Sequence, residues 1–452
     1  MTTLATETVT QRLGRFAAET PLELIPEAVL VHSRRAILDF FGVAIGGADS
    51  EPARLARSLA STLGGHQQAS VLVTGERTST ANAALVNGLM ANVMDFDDTH
   101  VPTILHPTSP IMGAALAVGE WRHSTGQALL AAHVLAYEIS ARVSLAISPE
   151  SYNAGWHLTG TTGTIGAAVA AGRLLGLDVA GMQRAIGLAA TQAAGQRQQF
   201  GEMAKSLHAG RAASNGVAAA LLAAEGFGAS PASLEGTWGL ASLMSAQPRP
   251  DEMIVELGHR WELPRNGLKP YACGIVAHPA IDVARALAQS LQADAADIER
   301  IDLRVHPLAL TLTGRPNPAT GIEAKFSLFF ACAAQLMEGA AGKAQFTDAV
   351  VNRPDIRTFM ARISAVQDSS LTPIEAAGNL RLRDGRSASA HVAAARGTPG
   401  NPLTDGDLAE KVRQLAVPVL GVARSEALIA TVHALEGVDD IAQLARATVP
   451  AS

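Results

Sequence analysis

The stretch GQALLAAHVLAYEISARVSLA, Gly126–Ala146, decides the architecture. Apolar residues recur in it at three- and four-residue spacing and leave it apolar almost all round, the pattern of a helix buried on most sides. The same texture runs from about Pro21 to Trp261. Pro26–Gly46, with Val29, Ser33, Ile37 and Phe40 or Phe41 along one stripe, reads as a helix, and so do Leu85–Asp95, Gly163–Leu175, Val179–Gly195 and Ala209–Gly226. Gly, Pro or short polar turns separate them.

After about Gly267 the period changes. Ile301, Leu303 and Val305 alternate within Ile298–Leu308, which predicts a half-buried strand. Asn379–Ala394 alternates on both sides of Asp384-Gly385, a β-hairpin with a tight positive-φ turn. Ala324–Glu338 and Asp355–Val366 read as helices between these strands. Gly397-Thr398-Pro399-Gly400-Asn401-Pro402 interrupts both periodicities, and helical patterning returns from Asp405. The expected fold is mainly α: a large helical domain from residues 1–266 and 397–452, and a smaller α+β domain over 267–396.

Bulk composition agrees. A chain of 452 residues needs two or three domains, and 48% hydrophobic against 17% charged residues supplies large buried cores. Aromatics are only 4%, so Ala, Leu, Val and Gly fill the interior and let helices approach closely. A net charge of -6 without a basic run argues against nucleic acid as a partner. Cys273 and Cys332 are too few for a disulfide framework and suit a reducing compartment. Met1–Gln11 lacks a leader pattern, and apolar runs such as Gly113–Gly119 are too short to span a bilayer. A cytoplasmic protein without a membrane partner is expected.

The chemistry concentrates in four polar clusters. Asp95-Phe96-Asp97-Asp98-Thr99-His100, followed by His106-Pro107, sets carboxylates, hydroxyls and imidazoles into an Ala-rich stretch, where burying them requires partners. If the preceding helix continues through Asn92–His100, Asp95 and Thr99 share a face, while Asp97 and Asp98 cap or support. The plainer alternative is that these are only helix caps. Gly155–Gly163 (GWHLTGTTG) leads into an apolar helix whose N–H groups, with His157, can meet a carboxylate. It lacks a phosphate-loop signature, and Thr capping with close-packing glycines explains it equally well.

Lys205-Ser206-Leu207-His208-Ala209-Gly210-Arg211 sets Lys205 and His208 three apart, just before a long helix. A solvated basic turn is the bland reading; a base or anion anchor is the functional one. His278, behind Lys269-Pro270-Tyr271, heads the helix Ala280–Leu291, where the positive dipole end favours a neutral imidazole fit to act as a base.

Together with Glu323-Ala324-Lys325-Phe326-Ser327, these motifs, in their order and spacing from about residue 10 to 440, resemble the MmgE/PrpD family. The resemblance implies a metal- and cofactor-independent enzyme acting on small polycarboxylates, with activities that include 2-methylcitrate dehydratase, cis-aconitate decarboxylase and iminodisuccinate epimerase. It implies an active site between the two domains and a homodimer formed through the helical ones. It assigns catalytic roles to Asp95, Thr99, His106, His157, Lys205 and His278; Lys269, His100, Thr159 and His208 are expected to bind substrate.

Two departures stand out. The Thr99–His106 loop is one residue longer than the decarboxylase pattern, so His100 can compete with His106. Many relatives carry Tyr at Phe330, where this chain lacks the phenol. With a chain that reads as short for the other branches, this tips the expectation toward epimerisation through a carbanion beside a carboxylate, with dehydration next and decarboxylation third. Two other classes compete: a Mg2+-dependent isoprenoid synthase, against which stand the scarce aromatics and the missing second acidic motif, and a helical scaffold or binding module.

Overall fold

The hydroxyl of Thr125 accepts from the backbone N–H of Ala128, so the apolar run starts cleanly as a helix and continues over Gly126–Ile147. The computed structural model describes residues 7–451 and is mainly helical, with a smaller sheet-containing region. Gly126–Ile147, unlike Gly113–Gly119, is long and apolar enough to cross a membrane, but 94% of its most apolar window is buried inside the protein. It also carries a fully buried ion pair, Arg142 Nε to Glu138 Oε1 at 2.5 Å, whose guanidinium further donates to the carbonyl of Val255 at 2.7 Å.

The helices Thr80–Asn92, Thr108–Arg122, Leu158–Leu175 and Ala204–Ala224 pack on one another at the centre. Small residues allow this. A Cβ on Gly210 would sit 2.4 Å from the carbonyl oxygen of Leu85, and one on Gly160 2.2 Å from that of Ala194. Asp405–Leu420, started by a capping box between Thr404 and Asp407, returns the chain to the helical body and packs on Glu27–Gly47. There Lys411 reaches a buried Asp39 at 2.6 Å.

The main sheet has four strands, β1 (Ile298–Val305), β2 (Ile363–Gln367), β3 (Ala376–Leu382) and β4 (Ser387–Val392), in the order β2-β1-β3-β4. Only β1 and β2 are parallel. A bulge between Ile298 and Arg300 resets the alternation, so that Ile298, Ile301, Leu303 and Val305 are all buried. The helix His278–Leu291 packs on β1, β3 and β4. Gly385, at φ 90°, makes the β3–β4 turn as the Asp-Gly pair predicted.

Several expected boundaries move. Asp355–Val366 is not one helix: Pro354–Met360 is helical and Ile363–Gln367 is β2, whose hydrogen bonds to β1 override a short segment without clear alternation. The predicted Ala324–Glu338 helix breaks at Lys325–Ser327, because Ser327 caps a new start by accepting from Phe330 N–H. Val179–Gly195 stops at Ala190, and Ala204–Ala224 begins earlier than predicted, so Lys205 and His208 lie in its first turns rather than before it.

Candidate active site

The helix Thr80–Asn92 does not continue to His100. Asp95 has a left-handed backbone, φ 53°, a conformation that Asp tolerates better than most residues, and its N–H returns to the carbonyl of Asn92. Thr99–His100 then runs extended and pairs with Asn266–Gly267. Asp95 and Thr99 therefore do not share a helix face; a turn places their side chains individually.

The Asp95 carboxylate lies between two lysines. Lys269 Nζ donates to Asp95 Oδ1 at 2.6 Å and to its backbone carbonyl at 2.9 Å, while Lys205 Nζ stands 3.2 Å from the same Oδ1. Burial alone would raise this carboxyl, but Lys205, Lys269 and His106 outweigh it and hold Asp95 well below the usual carboxylate range. Lys411 braces the turn from the C-terminal helix, donating to Phe96 O at 2.7 Å with its ammonium 4.0 Å from the centre of the Phe96 ring.

His106 is oriented by the same turn. Its Nδ1 lies 2.9 Å from the carbonyl of Asp98 and 3.5 Å from Asp97 Oδ1, which makes Nδ1 the protonated nitrogen. Nε2, the free acceptor, is then 3.8 Å from Asp95 Oδ1. Burial, followed by the charge of Lys269, lowers this imidazole to about 4, so it is neutral at pH 7. Asn92 and Ser109 fix Asp97 Oδ2 at 2.8 and 2.6 Å. Asp98 accepts from Thr108 and Asn266 at 2.5 and 2.8 Å, and burial raises its carboxyl to about 7.

His157, not a threonine, is the N-cap residue of Leu158–Leu175, and no side chain caps that end. The Thr159–Gly163 segment is already helical. His157 Nδ1 meets His208 Nδ1 at 2.9 Å, and its buried Nε2 has no hydrogen-bond partner among the described residues. Burial, reinforced by Lys205, keeps His157 well below the ordinary histidine range and His208 at about 4.

Asp95, His106, His157 and Lys205 line one inner chamber, closed by Tyr152, Phe200, Phe326 and the Gly274–Val276 segment. Its free volume is about 30 Å³, room for little more than a water molecule.

The other expected site residues surround this group or lie outside it. Thr99 Oγ1 meets His106 Nδ1 at 3.2 Å, and Thr159 Oγ1 accepts from the His106 backbone N–H at 3.1 Å, so both contact His106 rather than the chamber. Lys269 is wholly buried against Asp95, and His208 backs His157. His278 does not line the chamber: Nε2 lies 3.2 Å from Cys273 O, Nδ1 is unpartnered among the described residues, and burial lowers the ring to about 3. His100 does not compete with His106. It is turned into a separate buried network, 3.2 Å from Glu262 Oε2 and 2.8 Å from Thr103 Oγ1.

Phe330, where a phenol was missed, is fully buried against Phe346, with ring centres 5.3 Å apart, and is not a chamber residue. Tyr152 is the tyrosine that lines the chamber. Lys325 stands behind the chamber wall: its buried ammonium donates to Val93 O at 2.9 Å, and burial lowers it to about 8. Its neighbour Phe326 does line the chamber, and the motif Glu323–Ser327 that holds it was the available signal. The apolar walls gave none, since they read as ordinary core.

Asp95, Asp97 and His106 bring three ligand-type atoms within 4.8 Å of one another. A divalent cation there would share Asp95 with two ammonium groups whose charge opposes it. The arrangement suits an anion: the Lys205 ammonium lines a small chamber beside neutral imidazoles.

A mainly helical body joined to a small sheet region thus holds the charged cluster in an interior chamber. The model of the MmgE/PrpD N-terminal domain matches residues 11–253 and that of the C-terminal domain residues 271–437, so the chain belongs to the MmgE/PrpD family. It is 26% identical to the cis-aconitate decarboxylase of Mus musculus over 441 residues, covering 93% of this chain and 89% of the mouse protein. The Homo sapiens cis-aconitate decarboxylase is also 26% identical, over 93% of this chain and 90% of that protein. For Aspergillus terreus cis-aconitate decarboxylase the figures are 25%, 96% and 95%. This kinship supports a lyase-type enzyme and replaces the isoprenoid-synthase and scaffold alternatives. These relatives support the lyase-type reading at the level of the family and leave the epimerase branch untested, while the buried Phe330, outside the chamber, weakens the argument from the absent phenol.

Proposed function

We propose that the protein is a cofactor-independent lyase that removes a carboxylate from a small unsaturated polycarboxylate of the cis-aconitate type. One observation carries this reading: a carboxylate clamped by two ammonium groups faces two neutral imidazoles in an interior chamber. A substrate carboxylate entering beside Lys205 would take up part of the cationic field that Asp95 holds in the free protein. The bond to the departing carboxylate breaks and CO2 leaves. The electron pair spreads through the double bond toward a retained carboxylate, and the carbon at its far end takes a proton.

His106 Nε2 and His157 Nε2 are the candidate proton carriers. Their low affinity for protons in the free protein rises when a polyanion enters, since opposite charge stabilises the imidazolium. Lys205 stabilises the developing charge, and Thr99, Thr159, Asp97 and His208 hold the imidazoles in place. The reading takes the enzyme as a homodimer, which sedimentation tests.

Epimerisation remains a second reading, because the His106 and His157 rings, 6.2 Å between centres and inclined at 70°, could serve opposite faces of one carbon. Proton NMR in D2O with aconitate-, citrate- and succinate-type acids separates the outcomes. Decarboxylation gives a product with one carboxylate fewer and deuterium at the protonated carbon. Epimerisation gives deuterium exchange without loss of acid, and dehydration an alkene. No reaction and no exchange with any of these acids would overturn the assignment.

A further inference from the structure

Outside the inner chamber lies a second, larger cavity of about 890 Å³, and the two share Phe200, Leu312 and Phe326 as their partition. The Phe200 and Phe326 rings stack at 5.7 Å with 25° between their planes. The outer cavity carries two guanidinium groups, Arg197 and Arg315, and no carboxylate lines it. The guanidinium carbon of Arg197 sits over the ring of Tyr152, 4.0 Å from its centre, and Tyr152 also lines the inner chamber. Nη1 of Arg197 is used by the Tyr152 carbonyl at 2.7 Å, but its buried Nε has no hydrogen-bond partner among the described residues. Arg315 is tied at 2.7 Å to Glu323 through Nη1 alone. Its Nη2 comes within 3.2 Å of where a Cβ on Gly201 would stand, so the glycine, at φ 92°, lets this guanidinium lie along the wall next to Phe200.

An inner chamber with room for about one water cannot enclose a six-carbon acid, so substrate must part the Phe200–Phe326 stack or extend across it. Resting on the function proposed above, the geometry points to Arg197 and Arg315 as an outer carboxylate subsite. It selects acids with a carboxylate beyond the reacting pair, which it holds on the far side of the Phe200–Phe326 partition. A guanidinium with a free planar edge offers paired N–H donors to such a group, and the stacking on Tyr152 pre-orients Arg197 for it. The subsite is therefore a determinant of tricarboxylate over dicarboxylate, distinct from the Asp95–Lys205 centre.

Calorimetric titration of the full-length protein with the unreactive acids tricarballylate and glutarate tests this without turnover. Wild type should bind tricarballylate at least tenfold more tightly than glutarate. Arg197→Gln and Arg315→Gln should each remove about tenfold of tricarballylate affinity while changing glutarate affinity less than threefold. Arg315→Gln, at a half-exposed position, keeps the test valid if Arg197→Gln fails to fold. Equal affinity of wild type for both acids, or an unchanged preference in the Arg315→Gln protein, overturns the subsite. If the preference exists and is lost as expected, yet no acid reacts or exchanges in D2O, the subsite stands and the lyase assignment falls.

Discussion

Lys205 and Lys269 contact the same oxygen of Asp95, yet replacing them should have opposite consequences. At 3.2 and 2.6 Å, and with an effective dielectric constant of about 20, their attractions to the carboxylate are about 5 and about 6 kcal/mol. Taking an ammonium out of water costs several kcal/mol, which largely cancels each attraction. The rest of each environment then decides. Nζ of Lys205 has no hydrogen-bond partner among the described residues, so Lys205→Met removes a desolvated charge, fills the same space and leaves Asp95 still paired with Lys269. Its effect on unfolding free energy should stay within about 1 kcal/mol.

Lys269→Met removes the shortest contact to Asp95 and the donor to the Asp95 carbonyl in a left-handed turn, so a loss of about 3–5 kcal/mol is expected. Turnover should fall about 10²–10³-fold in Lys205→Met, the usual effect of losing one charge-stabilising donor. Urea unfolding read by circular dichroism, alongside NMR turnover, gives both quantities. Equal stability losses in the two variants, with turnover retained in Lys205→Met, would refute the division between a working lysine and a structural one.

Because the folded-state pKa of Asp95 is depressed, its contribution to stability is fully present above the ordinary carboxylate range near 3.9 and is lost as pH falls toward the folded value. The gap in unfolding free energy between wild type and Asp95→Asn should be constant above about pH 5 and shrink below it; a gap independent of pH would contradict the pairing. Gly160→Ala should slow turnover and lower stability together, since the new methyl would lie 2.2 Å from Ala194 O and push the start of the His157 helix outward; unchanged behaviour would mean this helix end is free to shift. Turnover should be the same in excess EDTA, and a loss reversed by added divalent ion would show that Asp95, Asp97 and His106 bind metal after all.

Much of the site was legible because its polar residues stand out against apolar helices. Asp95, His106, His157 and Lys205 were each visible as costly to bury, and the fold brings all four to one chamber. What sequence could not supply was conformation and distant partners. Helical spacing from Asp95 to Thr99 failed because the chain enters a left-handed turn that no local period encodes. His100 resembled a site residue, but its partner Glu262 lies 162 positions away. β2 was hidden because a short segment takes its structure from the strand beside it. Phe200 and Phe326, which close the chamber, carry the same apolar signal as any core phenylalanine.

Lys411 holds the Phe96 carbonyl across 315 residues of chain. At a synthesis rate of roughly 5–20 residues per second, the turn that bears Asp95 leaves the ribosome roughly 15–60 s before its brace exists. Throughout that interval Asp39 is without its ammonium partner too, so an N-terminal fragment lacks the anchor from which the turn takes its shape. Asp95 therefore gains this brace only once the chain has been made through Lys411, and the helix Asp405–Leu420 sets the moment at which the turn is held.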